Sequence, residues 1–229
     1  MTNSMWLLCE VTFIFKRQGI NACLILKVYF YRMIDLSTID QRITEVFALY
    51  EQFGDADYIG EPVSQLEHMS QAAQLAIQEG FDDEVILAAF FHDIGHLCDA
   101  KNATNDMGGY GIRQHEKVGA DYLREKGFPE RVALLVENHV QAKRYLTYKY
   151  PSYFEALSEA SKATLQFQGG PMSAKEANLF EKNPMFDVSL LMRKWDELAK
   201  EPNVPTLHLS DLKVIAKRVL ALQTNSFMQ

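Results

Sequence analysis

The segment FDDEVILAAFFHDIGHLCDA, residues 81–100, decides the fold because it predicts a buried helix at the centre of the protein. It has acidic residues in its first turn and a continuously apolar middle, and a helix that is apolar nearly all round is buried by its neighbours. His92, Asp93 and His96 follow this apolar run. Burying ionisable groups is costly unless they are paired or bind a metal. The segment therefore predicts a functional site as well as a core helix.

The chain on either side of this segment also shows helical patterns. The stretch IDLSTIDQRITEVFALYEQFG, residues 34–54, repeats apolar residues at a helical period and ends at Gly54. After a loop, Ser64 and Glu67 form a capping box for a helix that ends near Gly80. Further helices are predicted at 113–126, 129–142, 152–168, 174–181, 185–200 and 210–223. No strand alternation follows residue 33, so the predicted fold is all-α, a single-domain helical bundle.

The composition limits the functions that the chain can have. Its 229 residues carry a net charge of −7, which argues against a nucleic-acid-binding surface. Cys9, Cys23 and Cys98 lack the spacing of a metal site, and so few cysteines fit a reducing cytoplasm better than a disulfide scaffold. We expect a small-molecule partner, with no nucleic acid and no membrane, and leave the oligomeric state open.

Residues 1–32 differ in character from the rest of the chain. They carry four basic residues and one acidic residue, and charged residues interrupt their apolar runs. No run reaches the ~20 residues that span a bilayer, and the stretch lacks the features of a signal peptide. It is either an ordinary N-terminal extension or a start-site artefact, with Met33 as the true start. The domain is predicted over residues 33–229.

Histidines recur at the spacing of a helix-turn-helix repeat. His68, His92, His115 and His139 are separated by 24, 23 and 24 residues. Each predicted helix can therefore bring one imidazole to a common centre. Imidazole and carboxylate ligands together suit iron, manganese, zinc or nickel rather than calcium, which prefers oxygen.

The segment from His92 to His96 has its own predicted geometry. His92 and His96 are four residues apart and are expected to share one helix face. The carboxylate of Asp93 can lean into the same cavity and bridge two metals with its two oxygens. Gly95 removes a side chain beside the site, which lets another backbone or a ligand come close.

The ordered set His68, His92-Asp93, His115, His139 and Asp196 resembles the ligand pattern of the HD-domain superfamily. The resemblance implies a helical bundle around a buried dinuclear metal site, with these six residues as its ligands. Most members are metal-dependent phosphohydrolases, in which two metals activate a water that attacks a phosphoester. In a small branch, the same scaffold holds a mixed-valent Fe(II)/Fe(III) pair that activates O2.

Residues outside the ligand set are similar to the organophosphonate-cleaving oxygenases of that branch, the PhnZ and TmpB type. Tyr58 and Glu61 lie in the loop before the first histidine helix, and Lys143 follows the His139 position by one turn. Residues 161–184 and 193–200 also resemble this branch, and the similarity covers about residues 36–200. Taken alone, each of these residues is also compatible with an ordinary loop or helix position that has no function. Their occurrence in the expected order favours the oxygenase over the hydrolase.

The resemblance implies a role for each of these residues. Asp93 is the bridging ligand, Tyr58 occupies an iron position until substrate displaces it, and Glu61 helps to bind the nitrogen end of the substrate; these three form the catalytic set. The phosphonate is expected to contact Tyr58, Glu61, His96, Lys143, Ser161 and Thr164.

The implied reaction cleaves the C–P bond of a 1-hydroxy-2-(amino or trimethylammonio)ethylphosphonate with O2. Its products are phosphate and glycine, or phosphate and glycine betaine. The sequence leaves open which of the two nitrogen groups is present. The alternative is an HD-domain phosphohydrolase that acts on a nucleotide or other phosphoester with a divalent metal.

Overall fold

The computed structural model describes residues 22–58, 60–98 and 107–226, with side chains between residues 37 and 223. Its described part is helical and holds no strand, and Asp57 and Ser64 form an isolated β-bridge there. The all-α prediction is confirmed. The helices are α1 Ala22–Phe53, α2 Gln65–Gln78, α3 Asp83–Phe91, α4 Ile94–Cys98, α5 His115–Glu125, α6 Glu130–Lys149, α7 Pro151–Ala156, α8 Glu159–Phe167, α9 Ala174–Phe180, α10 Phe186–Leu198 and α11 Leu209–Ser226.

The chain forms two compact units, Met1–Gln41 and Arg42–Gln229. Residues 1–21 lie outside the described residues, and α1 continues through the predicted domain start at residue 33. That boundary, and the start-site interpretation of residues 1–32, therefore stay predictions. Among the described helices, none is long and apolar enough to cross a membrane.

The predicted central helix forms the core of the second unit. Every residue of α3 from 85 to 91 is buried, and α3 packs against α2, α6, α10 and α11. Phe90 stacks on Tyr50, with ring centroids 4.5 Å apart, and the Tyr50 hydroxyl donates to the Phe90 carbonyl at 3.2 Å. Phe91 meets Phe128 edge to face at 5.3 Å. These aromatic contacts supply apolar burial around the helix that leads into the site.

The central helix differs from the prediction in one respect, because it is interrupted. It ends at Phe91 and resumes at Ile94, with His92 and Asp93 in a turn between α3 and α4. His92 keeps helical backbone angles, φ −55° and ψ −35°, so apolar periodicity alone could not reveal the break. As a consequence, His92 and His96 do not share one face as predicted: His92 approaches His68, whereas His96 stacks on His115.

Close packing between α4 and α5 depends on Gly95. A Cβ at this position would lie 1.9 Å from the carbonyl oxygen of His115. The prediction that Gly95 lets another backbone come close is therefore confirmed, and the backbone concerned is that of a predicted metal ligand. This contact determines where α5 begins relative to the His92–Asp93 turn.

Two other helix boundaries were predicted wrongly. Helix α6 continues past Ala142 to Lys149, so Lys143 lies inside the helix rather than beyond its end. The predicted helix at 152–168 is two helices, α7 and α8. They are separated because Ser158 caps α8, its side chain accepting from the Ser161 N–H. A serine that can act as an N-cap favours a new helix start over continuation.

Candidate metal centre

His68 is positioned by the start of α2. The predicted capping box is present: the Ser64 side chain accepts from the Glu67 N–H, and the Glu67 carboxylate accepts from the Ser64 N–H at 2.7 Å. This box fixes the first turn of α2, in which His68 lies fully buried. The Nδ1 of His68 donates to the carbonyl of Ala199, 2.8 Å away, just beyond the end of α10.

Two further histidines are oriented in the same way. The Nδ1 of His92 lies 2.8 Å from the Ala89 carbonyl, and that of His139 lies 2.6 Å from the Val136 carbonyl. A carbonyl can only accept, so Nδ1 carries the proton and Nε2 presents its lone pair to the interior. Backbone partners of this kind are typical of metal-binding histidines, because they fix the tautomer and the ring orientation.

The inward-facing nitrogens form two close pairs. Nε2 of His68 lies 3.0 Å from Nε2 of His92, and Nε2 of His115 lies 3.1 Å from Nε2 of His139. Two lone pairs at this distance repel each other unless a cation lies between or beside them. The donor arrangement therefore fits two bound metal ions, one at each pair.

Asp93 connects the two histidine pairs. Its Oδ2 lies 3.5 Å from His68 Nε2 and 3.4 Å from His92 Nε2. Its Oδ1 lies 3.2 Å from His115 Nε2 and 3.5 Å from His139 Nε2. Each carboxylate oxygen thus faces a different pair, which is the geometry that a bridging ligand requires.

Asp196 adds a second carboxylate to one pair only. Its Oδ1 lies 3.4 Å from His68 Nε2 and 3.9 Å from His92 Nε2. Its Oδ2 accepts from the guanidinium of Arg193, which is almost fully buried. The structure brings together all six predicted ligands, divided into a group around His68 and a group around His115.

The charges at the centre favour bound cations. Burial would raise the pKa of Asp93, but the electrostatic interaction with His92 and hydrogen bonds from the other imidazoles hold it well below its usual range. Burial would lower the pKa of His68, but hydrogen bonds to Asp196 and Asp93 raise it to about 9. Without a metal ion, a proton on His68 Nε2 therefore takes the place of the cation. Burial would raise the pKa of Asp196 as well, but the charge of Arg193 holds it well below its usual range. Both carboxylates are therefore ionised and attract a positive charge to the imidazole nitrogens.

His96 lies beside this centre in a different chemical state. Its Nδ1 accepts the backbone N–H of Ile112 at 3.0 Å, and burial together with the charge of His115 lowers its pKa to about 3. The ring is therefore neutral with its proton on Nε2, a hydrogen-bond donor rather than a metal ligand. His96 and Asp93 lie close enough to share an ion with His115, but that would require His96 to give up the Ile112 contact. Gly111 permits the contact, since a Cβ there would lie 2.7 Å from His96 Nδ1.

The Tyr58 loop lies against the His68 side of the centre. The ring of Tyr58 stacks on that of His68, with centroids 4.0 Å apart and planes at 13°. Burial, followed by the charge of Asp93, raises the pKa of the Tyr58 hydroxyl well above its usual value. Glu61, three residues later, forms a 2.6 Å ion pair with Lys200.

A polar cavity opens beside the metal centre. Lys143 is buried there and donates to the Thr164 hydroxyl at 2.8 Å. The Ser161 hydroxyl accepts from Arg193 at 3.1 Å. The predicted substrate residues all line this one cavity: Tyr58, Glu61, His96, Lys143, Ser161 and Thr164.

Several cavity residues were not predicted. Arg193 contacts Asp196, Ser161 and Glu197, and Lys200 pairs with Glu61. Both lie in the stretch 193–200, in which only Asp196 was given a role. A basic residue three positions before a predicted ligand, on one helix face, was the available signal for Arg193.

The chain is similar to proteins of one known family. The family model for the HD domain matches residues 65–199, more than half of the chain. An uncharacterized protein, L432, of Acanthamoeba polyphaga mimivirus is 49% identical over 166 residues, which are 72% of this chain and 76% of that protein.

Two relatives carry functional names. A [1-hydroxy-2-(trimethylamino)ethyl]phosphonate dioxygenase (glycine-betaine-forming) of Leisingera caerulea is 42% identical over 69% of this chain and 80% of its own length. A hydroxymethylphosphonate dioxygenase of Gimesia maris is 40% identical over 77% of this chain and 85% of its own length. With its helical fold and these similarities, the chain belongs to the HD-domain family, alongside relatives that are named as phosphonate dioxygenases.

Proposed function

We propose that this protein is a diiron oxygenase that uses O2 to cleave the C–P bond of a 1-hydroxyphosphonate. The observation that carries the proposal is the juxtaposition of the Asp93-bridged centre with a cavity that holds a buried cation, Lys143. Such a cavity matches a dianionic phosphonate next to two metals. The names of two relatives that are at least 40% identical support the same chemistry.

The metals are proposed to be a mixed-valent Fe(II)/Fe(III) pair. His68, His92 and Asp196 would hold one ion, His115 and His139 the other, and Asp93 both. When bound, the pair supplies the activation of dioxygen. Nitrogen and carboxylate ligands of this kind suit iron.

The cavity side chains bind and orient the phosphonate. Lys143 supplies a positive charge, and the Thr164 hydroxyl lies within 2.8 Å of its ammonium. His96 offers its Nε2–H as a donor, since its Nδ1 is occupied by Ile112. Charge-assisted hydrogen bonds from such groups hold phosphoryl oxygens strongly. The Ser161 hydroxyl, held by Arg193, completes this end of the cavity.

Tyr58 and Glu61 act at the other end of the substrate. The C1 hydroxyl takes the position next to His68 that the Tyr58 side chain borders, so the tyrosine leaves when substrate binds. Its raised pKa keeps Tyr58 as a neutral phenol, which is displaced more readily than a phenolate. Glu61 faces the group attached to C1.

The reaction balances with one O2 per substrate. The C–P bond breaks, C1 and its hydroxyl become a carboxylate, and the phosphonate becomes inorganic phosphate. The sequence-based candidates are 1-hydroxy-2-aminoethylphosphonate, which gives glycine, and its trimethylammonio analogue, which gives glycine betaine. Hydroxymethylphosphonate, which gives formate, is a third candidate because the Glu61 carboxylate is already paired with Lys200.

Dependence on oxygen tests the proposal against the HD-domain phosphohydrolase. Phosphate release from the three phosphonates is measured with iron-loaded protein under air and under strict anaerobiosis, with the Asp93→Ala variant as control. We expect release under air only, and none from the variant. Phosphate release from a phosphoester with manganese, undiminished without oxygen, would establish the hydrolase instead.

A further inference from the structure

The ion pair between Glu61 and Lys200 lies inside the cavity. Lys200 Nζ is 2.6 Å from Glu61 Oε1, and the two side chains are only 18% and 11% exposed. Both residues line the cavity that opens on the metal centre. A pair with this burial is screened less by solvent than a surface pair.

Both ends of the ion pair are anchored. The Glu61 N–H donates to the Tyr58 carbonyl at 3.0 Å, and the Tyr58 N–H donates to the Val63 carbonyl at 2.9 Å. On the other side, Lys200 directly follows Ala199, whose carbonyl accepts from the metal-site residue His68. The ammonium therefore reaches Glu61 from a fixed backbone position.

The other carboxylates that line the cavity already contact positively charged or imidazole side chains. Within the described part of the chain, Glu61, Asp93 and Asp196 are the carboxylates that line it. Asp93 lies among the imidazoles, and Asp196 lies between His68 and Arg193. A positively charged substrate group would thus have Glu61 as its counter-ion, and Lys200 already occupies that place.

We infer that Lys200 is a specificity-determining residue that fills the cation position at Glu61 and selects 1-hydroxyphosphonates whose C1 substituent carries no positive charge. The inference rests on the proposed function. A trimethylammonium group cannot donate a hydrogen bond, so it depends on an uncompensated carboxylate or an aromatic face. Next to the Lys200 ammonium it meets like-charge repulsion in a partly desolvated site. A primary ammonium can still donate to Glu61 Oε2. A substrate that carries one should therefore bind less tightly than an uncharged substrate and more tightly than the trimethylammonium substrate.

Exchange of Lys200 for methionine tests the inference, because methionine removes the charge and keeps an unbranched side chain. The values of kcat/KM for hydroxymethylphosphonate and for 1-hydroxy-2-(trimethylammonio)ethylphosphonate are measured from phosphate release, and their dissociation constants by calorimetry without oxygen. We expect the wild type to prefer hydroxymethylphosphonate. In Lys200→Met, the ratio should move toward the cationic substrate by at least about tenfold in both measurements.

Two control variants separate charge from general disturbance. Lys200→Arg keeps the positive charge and should keep the wild-type ratio. Lys194→Met removes a solvent-exposed lysine of α10, which pairs with Glu79 at 3.2 Å, and should also leave the ratio unchanged.

The outcomes separate this inference from the proposed function. A wild type that prefers the trimethylammonium substrate would overturn the inference, even if Lys200→Met did not fold. So would a folded Lys200→Met with an unchanged ratio, although phosphonate turnover would still support the proposed function. If neither the wild type nor any variant binds or turns over a phosphonate, both the inference and the proposed function are refuted.

Discussion

Arg193 donates to Oδ2 of Asp196 and leaves Oδ1 of the same carboxylate facing the imidazole of His68. The two residues lie one turn apart on α10. The guanidinium therefore holds the carboxylate in the orientation that a metal ligand needs. Arg193 also contacts Ser161 in the substrate cavity, at 3.1 Å, so one side chain supports both parts of the site.

Replacement of Arg193 by methionine should therefore impair metal binding and stability together. It leaves the buried carboxylate of Asp196 without its charged partner, which costs about 3–5 kcal/mol. We expect a lower metal content per chain and a lower midpoint of thermal unfolding. The control is Arg218→Met, which removes an exposed pair with Asp83 and should cost about 0–1 kcal/mol. Full metal content in Arg193→Met would show that Asp196 does not need this partner.

The contact between Gly95 and the carbonyl of His115 predicts that alanine is not tolerated. A Cβ at 1.9 Å must displace the first residue of α5, and overpacking of this kind costs about 1–3 kcal/mol or more. In Gly95→Ala we expect reduced stability and loss of the metal that is proposed to bind at His115. Gly80→Ala is the control, since its Cβ meets nothing within 4 Å and only its backbone is strained. Equal metal content in the two variants would contradict the prediction.

The position of Asp93 between the two histidine pairs predicts that its replacement by alanine abolishes dinuclear metal binding. Each of its oxygens faces a different pair, and no other carboxylate in the described cavity lies between them. We expect fewer than two irons per chain by elemental analysis, with folding followed by circular dichroism. Two retained irons would refute the bridging assignment.

The clustering of these histidines and aspartates could be predicted because buried ionisable groups need partners and because their order resembles that of the HD-domain family, whereas their role as metal ligands stays a prediction. His68 and His139 were placed correctly on helices, since the sequence marks where each of these helices begins. The capping box at Ser64 and Glu67 could also be predicted, because it depends on two residues that are only three positions apart. Most helices could thus be predicted from patterns among residues that are close in sequence.

The remaining features depend on contacts between distant residues, which the sequence does not show. Lys200 and Glu61 are 139 positions apart, and nothing in either segment indicates the other. The turn at His92 was missed because periodicity reports burial and not backbone continuity. Likewise, the tautomer of His96 is fixed by the backbone N–H of Ile112, 16 positions away.

His96 should prove necessary for the phosphonate and dispensable for the metals. In His96→Asn, the amide oxygen can still accept from Ile112, whereas the Nε2–H donor is lost. We expect two metals per chain and phosphonate binding weakened by about 1.5–3 kcal/mol, the contribution of a hydrogen bond to a charged group. His96→Gln, which places a donor near the Nε2 position, should restore part of the affinity. His92→Asn should lose metal, and if His96→Asn did the same, His96 would be a ligand.

Lys143 should make phosphonate binding dependent on pH. Burial, followed by the charge of Arg193, lowers the pKa of its ammonium to about 7. In the substrate-free protein, Lys143 loses its proton as the pH rises above this value, and the attraction for the phosphonate is lost with it. The affinity measured by calorimetry without oxygen should therefore fall between pH 7 and pH 9, by up to about tenfold per pH unit.

Comparison with an arginine variant isolates this effect from the titration of the phosphonate itself. An arginine stays charged throughout this range, so Lys143→Arg should lose much less affinity between pH 7 and pH 9 than the wild type. Lys162→Arg, at a position paired with Glu159 on the surface of α8, should keep the wild-type slope. Equal slopes in all three proteins would show that the Lys143 ammonium does not hold the phosphonate.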